Sequence, residues 1–149
     1  MKLSEHFELS EFTASAVALS KHIKNVANEE VIENLKLLCE NVLEPVREMV
    51  GRPIIITSGY RCPQLNKAVG GSKTSQHMFG QAADIIVKGV SKQEMYYIGE
   101  KIRRSNIVFD QMIFEGVLES SEKTDWKRGV TWLHISYRKG YNRKQVLYM

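Results

Sequence analysis

Residues 72–87 read SKTSQHMFGQAADIIV, and the division of this stretch decides the fold. It opens polar, turns through Gly80 and closes on ADIIV, residues 83–87, an apolar run with the composition of a strand. Asp84 stands at the mouth of that strand. A carboxylate there loses hydration and needs a partner, which a backbone donor, an arginine or a metal ion would each supply. His77 lies in the polar part, where a solvent-exposed imidazole is as natural as a ligand.

Upstream, the pattern is helical. Ser10 is an N-cap candidate with Glu11 in the first turn, and Phe12, Ala16, Leu19 and Ile23 repeat at the spacing of one short amphipathic helix. Asn28 caps a longer one, with Glu29 and Glu30 at its positive end. Val31, Leu35, Leu38, Val42, Val46 and Met49 form its apolar stripe. Pro45 should kink this helix, and Gly51 is its natural stop. IIITSGYR, residues 54–61, then fits an interior strand, followed by a polar loop through Pro63, Gly70 and Gly71 to Ser75.

Downstream, Ser91 and Glu94 make a capping box for a helix buried through Met95, Ile98 and Ile102. Strand patterns return in NIVFDQMIFEGVL (106–118) and WLHISY (132–137), with VLYM (146–149) as a final edge, and a polar loop, SSEKTDWKRG, lies at 120–129. Helices first and strands second predict an α+β fold over residues 1–149 as a single domain. Its expected core is a small antiparallel sheet with helices packed on one face.

Composition narrows the partners. Of 149 residues, 43% are hydrophobic and 26% charged, which excludes a mostly disordered chain. The net charge of +4 and pI near 9.1 favour an anionic partner. The basic tail 138–144, flanked by Tyr137 and interrupted by Tyr141, reads as a solvated terminal strand, and no nucleic-acid module accompanies it. Cys39 and Cys62 lack CxxC spacing, and free thiols suit a reducing compartment. No signal peptide is visible at MKLSEHFELSEF and no run reaches transmembrane length. The expectation is synthesis in the cytoplasm, with other proteins releasing the chain to act on a cell wall, and no membrane or nucleic-acid partner.

His134, between Leu133 and Ile135, shares a strand face with Trp132 and Ser136. Alone it reads as a satisfied half-buried histidine or as a ligand. Two histidines and one carboxylate, His77, Asp84 and His134, are nevertheless a standard donor set for catalytic zinc, with the fourth position left for water.

The segments LSEHFELSEF (3–12), LEPVREMVGRP (43–53), TSGYRCPQLNKAVGG (57–71), SQHMFGQAADI (75–85) and WLHIS (132–136) together resemble the M15 family of zinc peptidases, the D-alanyl-D-alanine carboxypeptidase type of bacteria and phages. The resemblance implies a small α+β zinc peptidase that cuts peptidoglycan stem peptides, as carboxypeptidase or endopeptidase, with Zn2+ on His77, Asp84 and His134. It places Arg61 toward the substrate, where a guanidinium would hold a carboxylate or an oxyanion; a structural salt bridge is the plainer alternative. Ser75, Gln76 and Trp132 are candidate substrate contacts. One departure stands out. Many relatives carry a glutamate as general base three residues before the second zinc histidine, and this chain has Thr131 there. Glu115 is the best replacement, with Asp110 and Asp125 weaker candidates. The alternative is a zinc-binding wall-binding or phage assembly protein of the same fold without turnover.

Overall fold

A computed structural model of the protein describes residues 1–117 and 129–149. Asp125 and most of the 120–129 loop lie outside the described residues. The chain begins with a hairpin of β1 (Lys2–Ser4) and β2 (Phe7–Glu8), then α1 (Leu9–Thr13) and α2 (Ala16–Ser20). The single helix expected here is therefore two. Glu8, not Ser10, caps α1 through a reciprocal box with Glu11, and Ser15 breaks the run by accepting from the Ala18 amide to cap α2. The break leaves Leu19 80% exposed, so it does not belong to the buried stripe.

The long helix follows its sequence closely. Asn28 accepts from the Val31 amide and opens α3 (Glu29–Leu38). Pro45 has no amide proton to donate, and the helix absorbs this with a π-helical turn over Cys39–Leu43 before resuming as α4 (Glu44–Val50). The stripe survives the turn: Leu35, Leu38, Val42 and Val46 are wholly buried. Gly51 ends the helix in the left-handed region at φ 66°. Burial pushes the Cys39 thiol up to about 12, so it is an inert core group.

β3 (Ile54–Ser58) follows, then α5 (Pro63–Ala68), which occupies the segment read as loop; Pro63 stands at its first turn, where no amide donor is needed. Next come a 3-10 turn at Gln76–Phe79, β4 (Ala82–Val87), α6 (Lys92–Arg104), β5 (Gln111–Glu115), β6 (Trp132–Ser136) and β7 (Gln145–Tyr148). Ser91 caps α6 through the Glu94 amide. The mixed α+β architecture is as expected, with two corrections to the sheet. Its order is β3-β4-β6-β5-β7, so β3 is an edge strand and not an interior one. The sheet is also not wholly antiparallel, because β7 pairs parallel with β5. The short link from β6 crosses the start of β5 and lands on its far side, bonding Lys144 N–H to the Phe109 carbonyl on the way.

Alternation along the strands gives the sheet two different faces. Ala83, Ile85, Met112, Phe114, Leu133 and Ile135 enter the core with Leu35 and Val46. Gly99 lets α6 approach this face, since a Cβ there would meet Phe114 at 2.6 Å. The opposite face carries Asp84, His134, Ile113 and Glu115. No helix among the described residues is long and apolar enough to cross a membrane.

Two measurements test this packing. Gly80 ends the 3-10 turn at φ 71°, and a Cβ would lie 2.6 Å from the Val31 carbonyl oxygen of α3. Gly80→Ala should destabilise the protein by about 2–4 kcal/mol in denaturant titration, adding left-handed strain to overpacking. At the other edge, the Tyr148 hydroxyl donates to Glu100 at 2.7 Å. Burial would raise the Glu100 carboxyl, but bonds from Arg103 and Tyr148 outweigh it and hold the group below its ordinary value of 4.5. The associated stability is present above 4.5 and is lost as pH falls through the lowered folded value. Tyr148→Phe should therefore cost about 1 kcal/mol at neutral pH and almost nothing once Glu100 is protonated.

Candidate metal centre and active-site cleft

Strand register brings the first two groups of the site together. Asp84 of β4 lies directly opposite His134 of β6, and on its other side β3 places Ser58 opposite Asp84. His77 arrives from the 3-10 turn, where Ser75 accepts its amide hydrogen at 3.2 Å. Gly80 then reverses the chain into β4. His77 Nε2 and His134 Nδ1 lie 3.3 and 3.1 Å from the same oxygen, Asp84 Oδ1. The imidazoles meet edge to face with centroids 5.1 Å apart.

The chemistry of these atoms fits a cation. His77 Nδ1 is 2.7 Å from the Gly59 carbonyl, which can only accept, so Nδ1 carries the proton. In the neutral ring, Nε2 then presents a lone pair to a carboxylate oxygen. Two acceptors turned toward each other repel unless a positive charge lies among them. Ligand atoms of His77, Asp84 and His134 fall within 4.8 Å of one another. A nitrogen, nitrogen, oxygen set with its outer hydrogen bond already in place suits Zn2+. Burial pushes the Asp84 carboxyl up, but the hydrogen bond with His134 pulls it down, and the group lies well below its ordinary value of 3.8. It is thus a ready anionic ligand at neutral pH.

Arg61 braces the second oxygen of Asp84 at 3.7 Å, and its own direction is set by Ser58 Oγ and Asn66 Oδ1, each at 3.2 Å. Gly71 permits that arrangement, because a Cβ there would strike Asn66. The structural and substrate-facing readings of Arg61 are compatible: it pairs with Asp84 and also lines the cleft. All eight predicted site residues line one cleft of about 770 Å³: Arg61, Ser75, Gln76, His77, Asp84, Glu115, Trp132 and His134.

Asp110 also borders the cleft but cannot act as a base. It is wholly buried and bonded to Arg143 and Gln76. Burial would raise its carboxyl, and the Arg143 and Gln76 hydrogen bonds outweigh that and lower it. Sequence reading missed Arg143, Asn66 and the Gly59 carbonyl. Arg143 acts through a pairing 33 residues away, Asn66 through side-chain bonds to Arg61 and Ser72 that no periodicity marks, and the third is a backbone atom. A second cluster of metal-ligand types, Glu5, His6 and Glu44, lies apart from the cleft and is held by a 2.8 Å contact between His6 Nδ1 and Glu44.

The model of a known family, Peptidase M15, matches residues 5–114. The chain belongs to the M15 peptidases. The match includes Arg61, His77 and Asp84 and stops one residue short of Glu115, while His134 lies well beyond it. The third ligand of this M15 peptidase therefore rests on the β4–β6 register and on its distance from Asp84. A search of curated proteins returned no match. Family and donor set together make the protein a zinc metallopeptidase.

Metal analysis after exhaustive dialysis should find stoichiometric zinc. His77→Ala and His134→Ala should each weaken zinc binding by more than the roughly 10–100-fold typical of losing an outer hydrogen-bond partner. A dialysed protein that never takes up zinc would contradict the assignment.

Proposed function

We propose that this zinc peptidase hydrolyses peptide bonds in peptidoglycan stem peptides, with Glu115 as general base and Arg61 as substrate or oxyanion clamp. The observation that carries the proposal is a free carboxylate in the same cleft as the metal triad. Glu115 has no side-chain hydrogen bond or ion pair among the described residues. In the β5–β6 register Ile113 is opposite His134 and Glu115 is opposite Trp132. Glu115 is thus the diagonal neighbour of His134 on the same face, with Cα atoms roughly 7–8 Å apart.

Thr131 explains why the base comes from this strand. It stands where many relatives have glutamate, and its amide donates to the Glu115 carbonyl at 2.9 Å. The backbones at positions 131 and 115 are therefore hydrogen-bonded neighbours, while Glu115 is the one whose side chain lines the cleft. In this reading the metal-binding chemistry stays in place and the base moves to the adjacent strand.

Zinc held by His77, Asp84 and His134 would supply Lewis acidity to the scissile carbonyl and to a water molecule. Glu115 accepts the proton as that water attacks, then returns it to the departing nitrogen. Arg61, already fixed by Ser58 and Asn66, offers N–H groups to a substrate carboxylate or to the developing oxyanion. Trp132 and Ser75 flank the bound peptide. The positive net charge favours an anionic wall polymer.

Release of new amine termini from purified cell-wall fragments is the direct assay. Glu115→Gln should lower kcat by about 10²–10⁴-fold with zinc content unchanged, as expected for loss of a general base. Undiminished turnover would remove Glu115 from the mechanism. Zinc uptake without any amine release by the unaltered protein would favour the alternative, a wall-binding or assembly protein, for which the absence of glutamate at position 131 is the supporting observation.

A further inference from the structure

The Asp110 carboxylate stands out because it is wholly buried and yet aimed at the metal-binding turn. Oδ1 accepts from the Arg143 amide at 3.1 Å and from Arg143 Nε at 3.0 Å. Oδ2 accepts from the second guanidinium nitrogen at 3.0 Å and from Gln76 Nε2 at 2.9 Å. Its backbone is equally committed: Asp110 N–H donates to Ser136, and its carbonyl accepts from Gln145. One residue therefore joins the start of β5, the end of β6, the link to β7 and the turn that carries His77.

Burying a carboxylate is an expensive way to hold a sheet together, even with a half-exposed arginine to pair it. A charged clamp here has a more specific consequence. Gln76 is the first residue of the 3-10 turn and the immediate neighbour of His77. On its other side the turn is fastened to the β3 region by the Arg61 amide, which donates to the His77 carbonyl at 3.0 Å, and by the His77 ring on Gly59. Asp110 provides the fastening on the β5–β6 side. The turn is thus held from both flanks of the ion site, and the position of His77 Nε2 relative to Asp84 and His134 depends on both.

We propose that Arg143, Asp110 and Gln76 form a positioning relay that sets zinc affinity by fixing the His77 turn. Arg143 neutralises Asp110 and orients it, Asp110 holds the Gln76 amide, and Gln76 fixes the turn. None of the three touches the metal. This assigns Gln76, which the sequence left as a candidate substrate contact, to the support of the metal site. The proposal rests on zinc occupying the triad, and it is independent of which peptide is cut.

The test measures zinc affinity by chelator competition on the full chain, with the stability of the metal-free protein measured alongside. Gln76→Ala should weaken zinc binding by about 10–100-fold, the range for loss of an outer-shell partner. Its metal-free melting temperature should stay close to that of the unaltered protein, because Gln76 is only half-buried. Gln76→Glu should be worse for affinity, since it sets a second carboxylate against Asp110. The visible absorption of the cobalt-substituted protein should change in both variants as the His77 geometry loosens. Unchanged affinity and an unchanged cobalt spectrum in Gln76→Ala would overturn the proposal. So would an affinity loss no larger than the fall in metal-free stability, which would make the relay ordinary packing. Should Asp110→Asn fail to fold, the two Gln76 variants still decide the matter. A failure of the unaltered protein to bind zinc would instead refute the metal assignment itself.

Discussion

A carboxylate built into the middle strands of a sheet constrains everything else in this molecule. Asp84 has lost most of its water and is approached by His77, His134 and Arg61 within 3.7 Å. With His77 in the tautomer that Gly59 imposes, its Nε2 turns a lone pair toward Asp84 Oδ1, and that facing of two acceptors suits a cation. The strand register exists to put His134 opposite Asp84. Gly80 exists to bring the chain from His77 back into β4. The apolar face of the same sheet, closed by α3, α4 and α6, supplies the rigidity on which these distances depend.

The metal-ligand set and the proposed base draw on different parts of the architecture. The family match ends at Phe114, so the region that identifies the fold supplies His77, Asp84 and Arg61. Beyond it stand Glu115, the last residue of β5, whose carboxylate has no partner among the described residues, and His134 of β6.

Local chemistry was readable in the sequence where the cause and the effect lie within a few residues. Asn28, the apolar stripe through Val46, the stop at Gly51, the Ser91 cap and the β4 run all express their structure locally. The donor set was legible because its residue types are restrictive and its family segments occur in order. What stayed hidden depends on long-range pairing. Whether residues 54–58 form an edge or an interior strand is decided by which strands come later. The parallel placement of β7 depends on a link that crosses β5. Pro63 reads as a breaker but opens α5, and Pro45 reads as a kink but is absorbed by a π turn. Gln76 and Asp110 are 34 residues apart, and no local pattern announces their bond.

The parallel edge strand also bears on how the far end of the chain is handled. Met149 N–H bonds the Phe114 carbonyl, and the Met149 carbonyl accepts from Gly116 and Val117. The Met149 backbone therefore serves as scaffolding on either side of Glu115. Loss of that β7 pairing would strip partners from the segment that presents Glu115 while leaving His77, Asp84 and His134 on other elements. The metal ligands and the Glu115 carboxylate thus depend on separate backbone supports.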